Sequence, residues 1–177
     1  NDQVRRKARE DESLYGMGTT VVAATVLGKY LQVANVGDSR LYIINEEVRQ
    51  ITRDHSLVEE MVRMGGLDRE AARNHPDKNI ITRAIGMDKK ILVDIFRVPL
   101  TEKSKFLLTT DGLVRVVKDS KIYETIHKNK PSVAINKLVK LANDNGGPDN
   151  ITVCLVEKLT PSLLPYILIP SVIAAIL

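Results

Sequence analysis

Three aspartates stand where an apolar run stops or starts, each beside glycine or inside a glycine-rich turn. Asp38 lies in Val36-Gly37-Asp38-Ser39-Arg40, Asp111 in Thr109-Thr110-Asp111-Gly112-Leu113, and Asp149 in Gly146-Gly147-Pro148-Asp149-Asn150. Strand ends are rigid and the adjoining loops are exposed, so a scaffold presents functional groups there. Carboxylates are hard oxygen donors, and a cluster of them favours Mg²⁺ or Mn²⁺ over zinc. Two such ions about 4 Å apart hold a hydroxide and orient it for in-line attack on phosphorus. Taken singly, each of these aspartates is more often just a turn residue. Spacing in the sequence does not by itself bring the three together.

The other reactive side chains carry less. A cysteine-dependent phosphatase places an arginine five residues beyond its nucleophile; after Cys154 the corresponding position is Thr160, and the preceding run is apolar. Cys154 therefore reads as a small core hydrophobe. His55, His75 and His127 have no metal spacing, and no second cysteine completes a zinc site. His55 is expected in a local structural role and His75 at the surface. Arg40 and Arg83 are expected to hold loops through carboxylate or backbone contacts. Gly16 and Gly18 lack the Gly-Lys-Ser/Thr of a phosphate-binding loop. Met17, Met61 and Met64 read as core filler. Basic residues are not interleaved with aromatics, so nucleic-acid binding has no support.

The elements that must position the aspartates follow from patterning. With 177 residues, 44% apolar and 27% charged, the chain suits one domain with a real core. Tryptophan is absent, so aliphatic side chains must fill that core. A net charge of +4 is mild and reads as a solvated mixed surface. A single cysteine allows no intrachain disulfide, which fits a reducing, cytoplasmic compartment. No secretory signal is visible, and residues 1–12 mix charges as a solvated helix does. Strands are predicted over Thr19–Leu27, Tyr30–Val36, Ser39–Ile44 and Val48–Thr52, joined tightly as an antiparallel meander. Ser56 and Glu59 have capping-box spacing for a helix through Met64, and Asp68 caps a second through Arg73. Further strands are predicted over Ile91–Val98 and Lys105–Thr110. Helices are predicted from about Ser120 to His127 and after Pro131. Ile151–Glu157, apolar on both faces, is predicted as a central, doubly covered strand. Blocks of strands followed by paired helices predict α+β: an antiparallel β-sandwich flanked by helix layers. Leu159–Leu177 carries no charge and is nearly long enough to span a membrane, so it is predicted as a truncated anchor giving membrane association.

Six segments, GMGTT (16–20), ANVGDSRLY (34–42), ITRDHSLV (51–58), NIITRAIG (79–86), LLTTDGL (107–113) and GGPDNITV (146–153), resemble in order the blocks of the PPM (PP2C-like) metal-dependent protein phosphatases, their bacterial branch above all. The resemblance covers about residues 13–158. It implies an α-β-β-α sandwich that hydrolyses phosphoserine and phosphothreonine in proteins with Mn²⁺ or Mg²⁺, a metal-activated water being the nucleophile. Asp111 and Asp149 match two ligands of the family's binuclear centre, and Asp38 matches an aspartate of a third, weaker site. Residues 56–76 match the flap beside the active site. The implied partners are phosphoproteins and the Ser/Thr kinase that modifies them. The alternative is a regulatory domain that binds phosphoproteins without turnover. The family's early blocks, with a phosphate-gripping arginine and an Asp-Gly motif of bridging ligands, are not seen in the fifteen residues before Gly16. The chain is therefore expected to be part of a longer enzyme.

Overall fold

The structure, a computed structural model, describes residues 1–101, 104–157 and 173–176. The chain runs through α1 (Asp2–Glu10), a 3₁₀ turn (Glu12–Leu14), β1 (Val21–Leu27), β2 (Tyr30–Val36), β3 (Arg40–Ile44) and β4 (Val48–Gln50). Then come α2 (Leu57–Arg63), α3 (Arg69–Asn74), β5 (Asp94–Pro99), β6 (Lys105–Thr109) and α4 (Asp111–Val114). It continues through α5 (Asp119–Lys128), α6 (Pro131–Asp144), β7 (Val153–Glu157) and β8 (Ile173–Ile176). The strands form two antiparallel four-stranded sheets, ordered β5-β2-β1-β8 and β4-β3-β6-β7. This is the α+β sandwich that the patterning predicts.

Period-two alternation builds the layers. Leu41 and Ile43 of β3, with Phe106 and Leu108 of β6, face Val22, Ala24, Leu31 and Val33 of the other sheet and close the inter-sheet core. The alternate residues Tyr42, Ile44 and Leu107 face outward onto Leu113, Ile122, Ile126, Ala134, Leu138 and Ala142 of α4, α5 and α6. On α6 the buried Ala134, Leu138 and Ala142 recur every fourth residue along one stripe. The second sheet therefore has apolar residues on both faces. α1 lies against the turn at 86–89, where Asn1 Oδ1 accepts from Gly86 N–H at 2.9 Å and Asn1 Nδ2 donates to the Asp88 carbonyl at 2.9 Å.

Four expectations need correction. The predicted meander is divided: β1 and β2 belong to one sheet, β3 and β4 to the other, and Gly37-Asp38-Ser39 makes the crossing. Alternation is the same whichever sheet a strand joins, so patterning cannot see the division. The strand predicted from Ile91 begins at Asp94, whose partner Asn35 is the last in the register with β2. Among the described residues β7 stands at the edge of its sheet, not at its centre, pairing with β6 alone. It is apolar up to Val156 because Val153 and Leu155 pack on the helix-side core while Cys154 and Val156 pack between the sheets. Met64, expected inside, is the exposed C-cap of α2.

The local cap signals hold. The Ser56 hydroxyl accepts from Glu59 N–H at 3.4 Å, and the Asp68 carboxylate accepts from Ala71 N–H at 2.7 Å. Residues 159–172 and 177 of the predicted anchor lie outside the described residues, while Ile173–Ile176 pair antiparallel with Val21–Ala24. Among the described residues no helix is long and apolar enough to cross a membrane.

Leu138 is fully buried between α6 and the second sheet. Its replacement by alanine is expected to cost about 2–5 kcal/mol, and replacement of the exposed Leu92 less than about 0.5 kcal/mol, by urea denaturation.

Candidate functional site

The crossing between the sheets holds Asp38. Gly37 has φ +109°, and a Cβ there would run into the Thr20 side chain, so only glycine makes this turn. Gly37 N–H donates to His55 Nδ1 at 3.0 Å, and His55 N–H donates to the Gly37 carbonyl at 3.0 Å. Because Nδ1 accepts, the neutral ring carries its proton on Nε2, which lies 3.2 Å from Asp94 Oδ2. Arg83 Nη1 sits 3.0 Å from that nitrogen and donates to Asp94 Oδ1 at 2.8 Å and to the Leu92 carbonyl at 3.2 Å. Burial opposes ionisation of Asp94, but hydrogen bonds from His55 and Arg83 outweigh it and hold the carboxyl below its usual range. The buried His55 has the structural role expected of it. Arg83 and Arg40 anchor loops, Arg40 by gripping both oxygens of Asp54 at 2.7–3.0 Å and donating to Tyr42 Oη at 2.9 Å.

Asp111 and Asp149 are brought together by the start of β7 alongside the end of β6. Thr110 N–H donates to the Thr152 carbonyl at 3.2 Å. The Thr110 hydroxyl accepts from Thr152 N–H at 3.0 Å and donates to the Asn150 carbonyl at 3.2 Å. Asp111 then opens α4, where a carboxylate suits the positive end of a helix. A Cβ on Gly112 would collide with the Asn150 carbonyl, so this bare residue lets the two loops touch.

All three aspartates meet one cation. The Arg115 guanidinium pairs with Asp111 one helical turn earlier, lies 3.3 Å from Asp149 Oδ2, and comes within 3.9 Å of Asp38 Oδ2. Three carboxylates thus face one guanidinium. Burial first, then the charges of Asp111 and Asp54, push Asp38 up to about 6. Burial also raises Asp111; Arg115 opposes that rise and Asp149 adds to it. The cluster is under-neutralised, and its all-oxygen donor set fits a hard divalent cation. Among the described residues no three His, Cys, Asp or Glu stand at metal-ligand distances.

Beside the cluster a cleft of about 470 Å³ runs toward α2 and α3, and Asp54, Arg69, Arg73 and Lys78 line it with Asp38, Asp111 and Arg115. The sequence reading missed Arg115, Asp54 and Asp94. The i,i+4 spacing of Asp111 and Arg115 was a usable signal for the first. The other two pair with arginines 14 and 11 residues away, Arg40 and Arg83, and no short-range pattern reveals them.

The protein phosphatase 2C profile matches residues 1–151. The serine/threonine phosphatase stp of Listeria welshimeri is 45% identical over 161 residues, 89% of this chain and 64% of that protein. The solved structure of serine/threonine phosphatase Stp1 from Staphylococcus aureus superposes with a TM-score of 0.86 at 40% identity, over 89% of this chain and 63% of that one. The catalytic domain of serine threonine protein phosphatase PstP, solved in complex with two manganese ions, gives 0.77 at 30% identity over 86% and 64%. The chain thus spans a little under two thirds of the length of these relatives.

The raised Asp38 makes a testable linkage. Its folded value of about 6 lies above the ordinary 3.8, so its contribution to stability is present below pH 4 and is lost as pH rises through 6. In EDTA at pH 7.5, Asp38→Asn is expected to be more stable than the parent by about 1–3 kcal/mol, the gap closing toward pH 4. Thermal melts across that range check it; a less stable Asp38→Asn at pH 7.5 contradicts it.

Proposed function

The chain belongs to the protein phosphatase 2C family, and from that premise we propose that it serves a metal-dependent protein serine/threonine phosphatase. The reading is carried by one observation: Asp38, Asp111 and Asp149, from three separate segments, all face the Arg115 guanidinium, which lines a cleft together with Asp38 and Asp111. Its substrates are phosphoserine and phosphothreonine in proteins, placed there by a Ser/Thr kinase. Asp111 and Asp149 would hold the divalent cation, Mn²⁺ or Mg²⁺, with Asp38 contributing to a further ion. When bound, the cation supplies Lewis acidity toward the phosphoryl group and activates water.

The chain's own residues supply position and charge. The anchors around Thr110 and Gly112 fix Asp111 beside Asp149, and the His55–Gly37 pair fixes Asp38. Arg69, paired with Glu59 at 3.4 Å, and Arg73 and Lys78 line the adjoining cleft and offer cations to an anionic phosphoprotein beside the carboxylates. No side chain acts as a covalent nucleophile in this reading; Cys154 lies on β7, packed against the inter-sheet core, and burial raises its thiol.

The test is hydrolysis of a phosphothreonine peptide with Mn²⁺ and then EDTA, using the full-length protein that contains this chain. Asp111→Asn and Asp149→Asn are each expected to cut kcat/KM at least about a hundredfold, on the order of 3 kcal/mol of transition-state stabilisation. Turnover that survives EDTA, or survives both substitutions, overturns the reading.

A further inference from the structure

We propose that Arg115 is a displaceable counter-ion: it holds the Asp38–Asp111–Asp149 cluster together until a divalent cation takes its place, and its released guanidinium then receives the phosphate. The proposal rests on the metal-dependent reading above.

The carboxylates that a hard cation would use are the ones Arg115 already occupies. A monovalent guanidinium leaves the three of them short of positive charge. A divalent ion at the same oxygens doubles the Coulomb attraction at equal distance and repels the guanidinium. Both cannot share the space, so the arginine moves out as the ion moves in.

Arg115 has somewhere to go. It lines the cleft that runs toward α2 and α3, and also a second opening of about 450 Å³ bordered by Gly18, Thr19 and Ser39. Arg40 and Arg83 are not interchangeable with it, because their partners lie outside the cluster: Arg40 grips Asp54, and Arg83 holds Asp94 and the Leu92 carbonyl. Their pairs survive entry of an ion; those of Arg115 do not. A phosphate monoester arriving beside the ion is a dianion whose oxygens match the guanidinium fork. Once the monoester has bound, contacts to phosphate replace the three carboxylate contacts that Arg115 gave up to the ion.

The proposal requires two readouts of opposite sign. Mn²⁺ binding to the metal-stripped full-length protein is measured by titration calorimetry, and inorganic phosphate binding is measured on the Mn²⁺-loaded protein. Arg115→Met keeps side-chain length without charge, and Arg115→Gln serves as a second variant should the first fail to fold. Each is expected to bind Mn²⁺ at least tenfold more tightly and phosphate at least tenfold more weakly than the parent, with a lower Tm in EDTA because the carboxylates are left to repel. Arg115→Lys is expected to recover part of the phosphate affinity. A merely structural arginine would lower both affinities together. Mn²⁺ affinity in the variants equal to or below the parent's overturns the proposal, as does unchanged phosphate affinity. If neither parent nor variants bind Mn²⁺, the metal-dependent reading falls with it, which separates that failure from the other two.

Discussion

Like charges forced close together are the constraint around which this chain is organised. Asp38, Asp111 and Asp149 would separate if free to do so, and burial makes the ionised form of the first two dearer still. One guanidinium relieves only part of this. The remaining cost must be met by interactions elsewhere, and the two apolar clusters on either side of the second sheet are the reservoir. The strain is local, the stabilisation is distributed, and the two are joined by short rigid connections.

Those connections are unusually direct. Asp38 sits on the short β2–β3 crossing between sheets, so its position is fixed by two strands that belong to different layers. Asp111 follows β6 without a spacer beyond Thr110, and Asp149 precedes β7 by only a few residues. Because β6 and β7 are register partners from Lys105–Glu157 to Thr109–Val153, the pairing that builds the sheet also sets the distance between the two carboxylates. Bare Gly112 against the Asn150 carbonyl takes up the last of the gap. A side chain there would act on the site without touching any ligand.

What the sequence disclosed and what it hid divide along range. The aspartates were visible because strand-end aspartates beside glycine are local patterns, and the caps at Ser56 and Asp68 were visible for the same reason. The division of the first four strands between two sheets was not, since a strand's alternation says which faces are apolar and not which neighbours it pairs with. β7 misled because being covered on both faces usually accompanies a central place; here helices cover one face and the opposite sheet covers the other, although among the described residues the strand is at the edge. Arg115 went unread because an i,i+4 acid–base pair on a helix is ordinarily a surface ornament worth a few tenths of a kcal/mol. Only the arrival of two further carboxylates from distant loops gives that pair its meaning.

The helices α2 and α3 show how the same anchors reach beyond the cluster. Neither α2 nor α3 buries a residue, so little core energy ties the pair to the sandwich. Its two ends are nonetheless firmly held: Leu57 N–H donates to the Ile80 carbonyl at 2.9 Å, and Thr82 N–H donates to the His55 carbonyl at 2.8 Å. Entry and exit of the segment therefore lie side by side, against the residue that positions Gly37. A displacement of the helices that leaves those bonds intact is cheap and does not reach Asp38. One that breaks them pulls on His55, on the Gly37 turn and so on the carboxylate next to it. The chain in this way separates two lightly anchored helices from the turn that carries Asp38, and the boundary between them is the pair of hydrogen bonds from Leu57 to Ile80 and from Thr82 to His55.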